Sequence, residues 1–297
     1  MLNLSMMNVI VTGAEGQLGS ELRAASRHSA HNYVFTDVCR LSGADTTFLD
    51  ITDAASVMDF CHAQKPDVIV NCAAYTNVDK AEDDAASADL LNRQAVGNIA
   101  LAALDCGATV IHISTDYVFG GDGRIPYKED DAKNPLGVYG RTKLAGEEEL
   151  LGSGCKAIII RTAWLYSPYG KNFVKTMASL MATRPEVGVV ADQVGSPTCA
   201  EDLAAVICHI IEKGMLGYTG VYHYTDAGVV SWFDFAREIC RLGGWNCAVK
   251  PLRSSEFPSK VRRPLYSVLD KSKITETFGV EVPYWKDSLA RCLQNIE

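Results

Sequence analysis

A chain of 297 residues with 47% hydrophobic and 22% charged residues has the composition of a globular protein, not of a disordered or fibrous one. A formal net charge of −8 repels phosphate backbones and anionic lipid, which makes nucleic acid and membrane surfaces poor partners. Ten cysteines scattered singly, with no Cys-x-x-Cys pair, read as reduced thiols of a cytoplasmic protein, and no apolar run reaches the ~20 residues that span a bilayer.

Residues 8–12 (NVIVT) form a β-branched apolar run, which predicts a strand buried on both faces. Glycines follow, then a helix over 19–25, a strand over 33–36 ending at Asp37, and a helix over 57–64. The Pro66–Asp67 turn leads to a strand over 68–71, and an alanine-rich helix over 87–106 leads to another over 109–114 (TVIHIS). A helix over 139–151 and a strand over 157–161 complete the regular part. Strands alternating with helices imply an α/β fold, a Rossmann-like doubly wound parallel sheet. After Trp164 the pattern loosens around Pro168, Gly170, Pro185, Gly188, Gly195 and Pro197. A helix over 201–212, a strand near 221–224 and a helix over 232–242 still stand out, and 250–264 reads as a polar stretch punctuated by proline. The expected organisation is a first domain over 1–163, with segments returning at about 194–224. A smaller, discontinuous C-terminal lobe comprises about 164–193 and 225–297.

Gly13, Gly16 and Gly19 lie between the first strand and the first helix, and that context gives the glycine pattern its meaning. Gly13 permits a tight turn, Gly16 lets the backbone approach a pyrophosphate, and Gly19 lets helix and strand pack closely. The pyrophosphate would rest on the free N–H groups of the helix start, around Gln17 and Leu18. The spacing is GxxGxxG rather than G-x-G-x-x-G, Glu15 brings a negative charge into the loop, and an ordinary glycine-rich turn is the alternative. Asp37 is placed to bond the adenosine ribose hydroxyls and to disfavour the extra phosphate of NADP, with Arg40 offsetting that charge. Asp50 and Ile51 either meet the adenine or belong to a helix cap around Thr52 and Asp53.

Of twelve tyrosines only Tyr139 has a lysine four residues on, Lys143, and the pair opens a helix after Asn134–Pro135. Spacing i,i+4 puts both on one face. A tyrosine with a reference pKa near ~10 needs a cation to act as an acid–base at neutral pH, and Lys143 supplies it. Thr115 ends the strand over 109–114 at the edge where such sheets bind ligands, and its hydroxyl can donate to a developing alkoxide. Ser114 is its rival, but strand alternation sends the two side chains to opposite faces.

The glycine loop and the Thr115, Tyr139, Lys143 trio resemble the extended short-chain dehydrogenase/reductase superfamily. Longer strings narrow the match: 71–82 (NCAAYTNVDKAE), 114–119 (STDYVF), 161–166 (RTAWLY), 172–174 (NFV), 192–198 (DQVGSPT) and 262–267 (RRPLYS). These are similar to the dTDP-4-dehydrorhamnose reductase family over nearly the whole chain. The resemblance implies NADPH or NADH as cofactor, a dTDP-sugar as substrate, and reduction of a C4 keto group in dTDP-rhamnose synthesis. It gives Tyr139 as proton donor, Thr115 as holder of the C4 oxygen, and Lys143 as the residue that orients ribose and tunes Tyr139. Cys72, Ala73, Ala74 and Tyr75 would border the cofactor. Thr76, Val78, Asp116, Tyr117, Trp164, Asn172 and Gln193 would line the substrate site, and Arg262 or Arg263 would pair with the diphosphate. Some members bind Mg²⁺ at a dimer interface through glutamates. Glu21 and Glu201 match those positions, no third acid is placed, and hydride transfer needs no metal, which leaves Mg²⁺ doubtful. A homodimer is compatible with the resemblance. Two alternatives stay open: a reductase or epimerase of another 4-keto nucleotide sugar, and a non-catalytic module similar to the regulatory subunit of methionine adenosyltransferase.

Overall fold

The computed structural model describes residues 5–39 and 44–296, so Arg40 lies outside the described residues. Its centre is a seven-stranded, wholly parallel sheet. The strands in chain order are β1 (Asn8–Thr12), β2 (Asn32–Asp37), β3 (Thr47–Phe48), β4 (Val68–Asn71), β5 (Thr109–Thr115), β6 (Lys156–Thr162) and, after the lobe strands, β11 (Gly220–His223). Their spatial order is β11-β6-β5-β4-β1-β2-β3. The chain winds one way from β1 and the other way from β4, so the topological switch point lies between their carboxyl ends.

Alternation decides what each face buries. Val9, Val11, Val70 and Ile160 pack with Leu18 and Leu22 of α1 (Gln17–Ala25) and Leu203 and Ile207 of α8 (Ala200–Glu212). Ile10, Ile69, Val110 and Ile159 pack with Val57 of α2 (Ala54–Gln64) and Ile99 of α5 (Ala95–Cys106). Covering helices on both faces explain why β1 and β4 read as unbroken apolar runs.

The helix expected over 87–106 is divided. After α3 (Val78–Asp83) come α4 (Ala85–Asp89), one π turn over Leu90–Gln94, and α5. The wide turn presses the Asn92 carbonyl against α6 (Val138–Ser153), where a Cβ on Gly146 would sit 2.1 Å from it. The buried Asn92 side chain accepts from Tyr75 N–H (2.8 Å) and donates to the Thr142 hydroxyl (3.1 Å).

The C-terminal part has its own core of Tyr166, Met177, Phe235, Trp285 and Leu289. It pairs β7 (Leu165–Tyr166) with β10 (Thr198–Cys199), β9 (Val194–Gly195) with β12 (Val230–Ser231), and β8 (Glu186–Val190) with β13 (Ala248–Leu252). Helices α7 (Phe173–Thr183), α9 (Trp232–Gly243) and α11 (Trp285–Gln294) complete it, while α10 (Ser272–Phe278) sends Ile274 and Phe278 into the core of the central sheet. Of these, all but α9 go beyond the sequence reading. Among the described residues, no helix is long and apolar enough to cross a membrane.

Candidate active site

A cavity of about 760 Å³ opens at the switch point, over the carboxyl ends of β1, β4, β5 and β6. The glycine loop forms one wall. Gly13 has φ +67°, and a Cβ there would lie 2.5 Å from Ala73 N; a Cβ on Gly19 would lie 2.4 Å from Gly13 O. Both positions therefore exclude any larger residue. Gly16 caps α1 with no side-chain hydrogen bond, so the first N–H groups of that helix face the cavity unshared. This is the donor set and the clearance that a dinucleotide pyrophosphate requires.

Farther along, Asp37, Asp50 and Ile51 line the same cavity. Asp37 accepts from Glu15 N–H and Cys39 N–H, each at 3.0 Å. Asp50 accepts from Thr52, while Asp53 caps α2 through Ala55 N–H and Ser56 N–H, so the cap and the cavity wall are adjacent residues. Cys72, Ala73, Ala74, Thr76 and Val78 form the opposite wall. Glu15 and Tyr75 turn elsewhere: the Glu15 carboxylate meets Arg23 and the Thr46 hydroxyl, and the Tyr75 phenol reaches Asp84 at 3.4 Å.

The trio converges at the inner end. Thr115, Asp116, Tyr117, Tyr139 and Lys143 all line the cavity. Burial pushes the Tyr139 phenol up to about 12, opposed by its hydrogen bond with Thr115 and aided by Asp116. Tyr117 stands edge-on to it, ring centroids 5.5 Å apart. The Thr115 hydroxyl donates to Asp116 Oδ1 (3.1 Å), a carboxyl that burial pushes up to about 6. A rotation of that O–H bond suffices to aim it at a ligand oxygen. Burial brings Lys143 down to about 8, against Glu147, which raises it. Its Nζ donates to Ile113 O at 2.6 Å.

Residues 139, 143 and 147 form one stripe of α6 laid along β5 and β6. At the far end, Glu147 accepts from Ser114 Oγ (2.5 Å) and from Arg161 Nε and Nη2 (2.9 and 2.6 Å), all inside the protein. Ser114 thus points to Glu147 while Thr115 points to the cavity. The Glu147–Arg161 pair has no trace in local spacing and depends on β6 register.

A second cavity, about 860 Å³, adjoins the first and shares Trp232 and Arg263 with it. Gln193 and Arg262 line only this second cavity; Trp164 and Asn172 line the first. Trp164 has φ +51°, a strained conformation for a bulky residue, and its indole stacks on Trp232 with centroids 3.6 Å apart. Asn172 caps α7 and donates to Gln17 Oε1 at 2.9 Å, tying the lobe to the glycine loop. Arg262 is exposed, whereas Arg263 is partly buried, pairs with Asp79 at 2.7 Å, and keeps a buried Nε without an acceptor. Trp232 and Asp79 also line these cavities, and spacing alone does not single them out.

Glu21 and Glu201 stand on α1 and α8, beside Asp202, but Arg291 of α11 already supplies the cation. Its guanidinium bonds Asp202 and lies 3.6 Å from Glu201 Oε2. Among the described residues, the set of three potential ligand groups that does converge is His62, Asp105 and Cys106, at the opposite end of the sheet. Glu21 Oε1 and Asp202 Oδ2 stay buried without a hydrogen-bond partner beside the Arg291 ion pairs. Burial, then Glu201 and Asp202, pushes Glu21 from its ordinary 4.5 up to about 7. Above 4.5 the unfolded chain releases a proton that the folded chain keeps, so this group's stabilisation is full below 4.5 and is lost as the pH rises to about 7. Glu21→Gln should therefore stabilise the fold at pH 8, by about 1 kcal/mol after solvent screening, and leave stability unchanged at pH 4. Equal shifts at both pH values would contradict the assignment.

The RmlD substrate binding domain profile matches residues 7–297. A dTDP-4-dehydrorhamnose reductase of Aggregatibacter actinomycetemcomitans is 40% identical over 300 residues, covering 98% of each chain. The solved dTDP-4-dehydrorhamnose reductase of Clostridium acetobutylicum superposes with a TM-score of 0.89 at 40% identity, covering 97% of this chain and 99% of that one. That of Bacillus anthracis, in complex with NADP, gives 0.90 at 35% identity, covering 98% and 99%. On its fold, its site and these likenesses, the chain belongs to the RmlD substrate-binding-domain family, that of the dTDP-4-dehydrorhamnose reductases.

Proposed function

We propose that this protein reduces the C4 keto group of dTDP-4-dehydro-6-deoxy-L-mannose to give dTDP-L-rhamnose, with NADPH or NADH as reductant. The observation that carries the reading is the placement of Thr115, Tyr139 and Lys143 at the inner end of the glycine-loop cavity, beside a second cavity large enough for a sugar nucleotide. The cofactor, when bound, supplies the hydride. Gly13, Gly16 and the start of α1 hold its pyrophosphate, and Asp37 takes the adenosine ribose. Tyr139 gives its phenolic proton to the C4 oxygen as that oxygen gains charge, and Thr115 donates a hydrogen bond to the same atom. Lys143 orients the nicotinamide ribose and balances the phenolate left on Tyr139. Arg263, with its unsatisfied Nε, is the diphosphate contact; Arg262 is too exposed to share that role. Ten unpaired thiols support a cytoplasmic location.

The Trp164–Trp232 stack walls the sugar site, and Gly195 gives it room: a Cβ there would lie 2.8 Å from Trp164 Cε2 and from Ser267 Oγ. Overpacking of this kind costs typically 1–3 kcal/mol. Gly195→Ala should therefore raise KM for the sugar nucleotide by roughly tenfold or more and leave cofactor affinity within about twofold. A selective loss of cofactor affinity instead would remove Trp164 from the sugar site.

The function is tested by cofactor oxidation with dTDP-4-dehydrorhamnose generated in situ. Oxidation that needs both protein and sugar supports it. Turnover only with a different keto sugar would overturn the substrate. A folded, cofactor-binding protein that turns over none of them and captures a stoichiometric partner enzyme would overturn the activity.

A further inference from the structure

A row of polar side chains crosses the sheet beneath the glycine loop. The parallel register sets Thr12 opposite Asn71 and Asn71 opposite His112, so the three side chains project from the same face. Helix α6 covers that face and lays Lys143 on His112. All four residues are at most 2% exposed, so the polar atoms of the row must find their partners inside the protein.

The hydrogen bonds determine where the protons sit. Asn71 Oδ1 accepts from the Thr12 hydroxyl (2.7 Å) and from Ala73 N–H (3.2 Å). The amide is thereby oriented, and its Nδ2 is the atom 3.0 Å from His112 Nδ1. An amide NH₂ only donates, so Nδ1 is the acceptor and the imidazole hydrogen is on Nε2. Nε2 lies 3.3 Å from Lys143 Nζ. An N–H aimed at that nitrogen opposes the ammonium and favours the amine, whose lone pair can accept it.

The other groups around Lys143 are few. Glu147, one turn on along α6, favours the charged lysine, and so does the Cys72 thiol beyond β4. Arg161 of β6 is held by Glu147, and Asp116 faces Tyr139. Among the described residues, His112 is thus the one polar partner from the sheet that works against the ammonium. Burial and the nearby lysine keep His112 itself neutral.

We propose that His112 is a positioning residue for the proton chemistry: locked by Asn71 as the Nε2–H tautomer, it directs that hydrogen at Lys143 and governs the lysine's protonation during turnover. This rests on the roles given above to Tyr139 and Lys143. Besides the hydride that the cofactor would supply, one proton moves: Tyr139 gives it to the substrate oxygen, Lys143 restores it to the phenolate, and solvent reprotonates the lysine.

The second buried histidine supplies an internal control. His223 Nδ1 faces Tyr127 O at 3.1 Å and its Nε2 faces Arg161 Nη1 at 3.4 Å, which imposes the opposite tautomer. Long-range proton–nitrogen NMR of the histidine-labelled protein, with the rings assigned from the backbone, should show His112 as Nε2–H and His223 as Nδ1–H across neutral pH. Kinetically, His112→Leu should move the alkaline limb of the kcat profile upward by about one pH unit, with KM for NADPH little changed. His112→Gln keeps a donor toward Nζ and should restore the limb to within a few tenths of a unit. An Nδ1–H or doubly protonated His112, or an unmoved limb in a folded leucine variant, would overturn the proposal. The tautomer needs no variant to fold and no turnover, so an inactive wild-type protein would count against the reaction while the spectrum still decides the role of His112.

Discussion

Tyr139→Phe is expected to lower kcat/KM by about 10²–10⁴-fold, the usual contribution of a positioned general acid, while NADPH affinity stays within about twofold. The phenol is pushed up to about 12, so it remains protonated at any physiological pH and is ready to donate. Of the tyrosine and lysine pair, Lys143 titrates nearer neutrality, at about 8. A lysine whose pKa is lowered keeps its proton below that value, so turnover should hold at neutral pH and fall as the pH rises through about 8. The tyrosine and the lysine therefore have separable signatures, one in the amplitude of catalysis and the other in its alkaline limb. A phenylalanine variant with unchanged kcat would remove Tyr139 from proton transfer.

Glu147→Ala should destabilise the fold by about 3–5 kcal/mol, because it strands the Arg161 guanidinium in the interior. Arg161 and Glu147 are each 1% exposed, and the bidentate contact at 2.6 and 2.9 Å satisfies both oxygens. What remains for Arg161 is the Glu129 carbonyl at 3.1 Å and the neutral ring of His223, neither of which balances a charge. Thermal unfolding should show a drop on the order of 10 °C for a chain of this size. Replacing both partners, Glu147→Leu with Arg161→Met, should recover much of that loss, because the cost lies in the unpaired charge rather than in the missing attraction. A double variant no more stable than Glu147→Ala would show that Glu147 acts mainly through Ser114.

The sheet is legible in the sequence because its strands are short apolar runs covered on both faces, and the helices between them carry an apolar stripe. The π turn at Leu90–Gln94 is not legible: one extra residue per turn leaves the alanine-rich composition of 87–106 unchanged, and only the approach of Gly146 shows why the helix widens there. Helix α7 is a different case. Val174, Met177, Ala178 and Met181 follow helical spacing and Asn172 caps it, so the pattern is present, with Pro168 and Pro185 bracketing the helix rather than breaking it. β13 is mostly exposed and pairs with β8 alone, and Pro251 inside β13 argues against a strand unless that strand is an edge. Within the site, spacing was enough for Tyr139 and Lys143, which share a helix. The choice between Arg262 and Arg263 turns on which side chain reaches the cavities and Asp79. The contact of Lys143 with His112 turns on sheet register, and no linear pattern carries either.

The most direct test follows the hydride itself. NADPH with both hydrogens at C4 of the nicotinamide replaced by deuterium, given to the protein with dTDP-4-dehydrorhamnose, should leave one deuterium at C4 of the dTDP-L-rhamnose formed. Sugar consumed without label at C4, or epimerised with no net oxidation of the cofactor, would contradict the reductase mechanism.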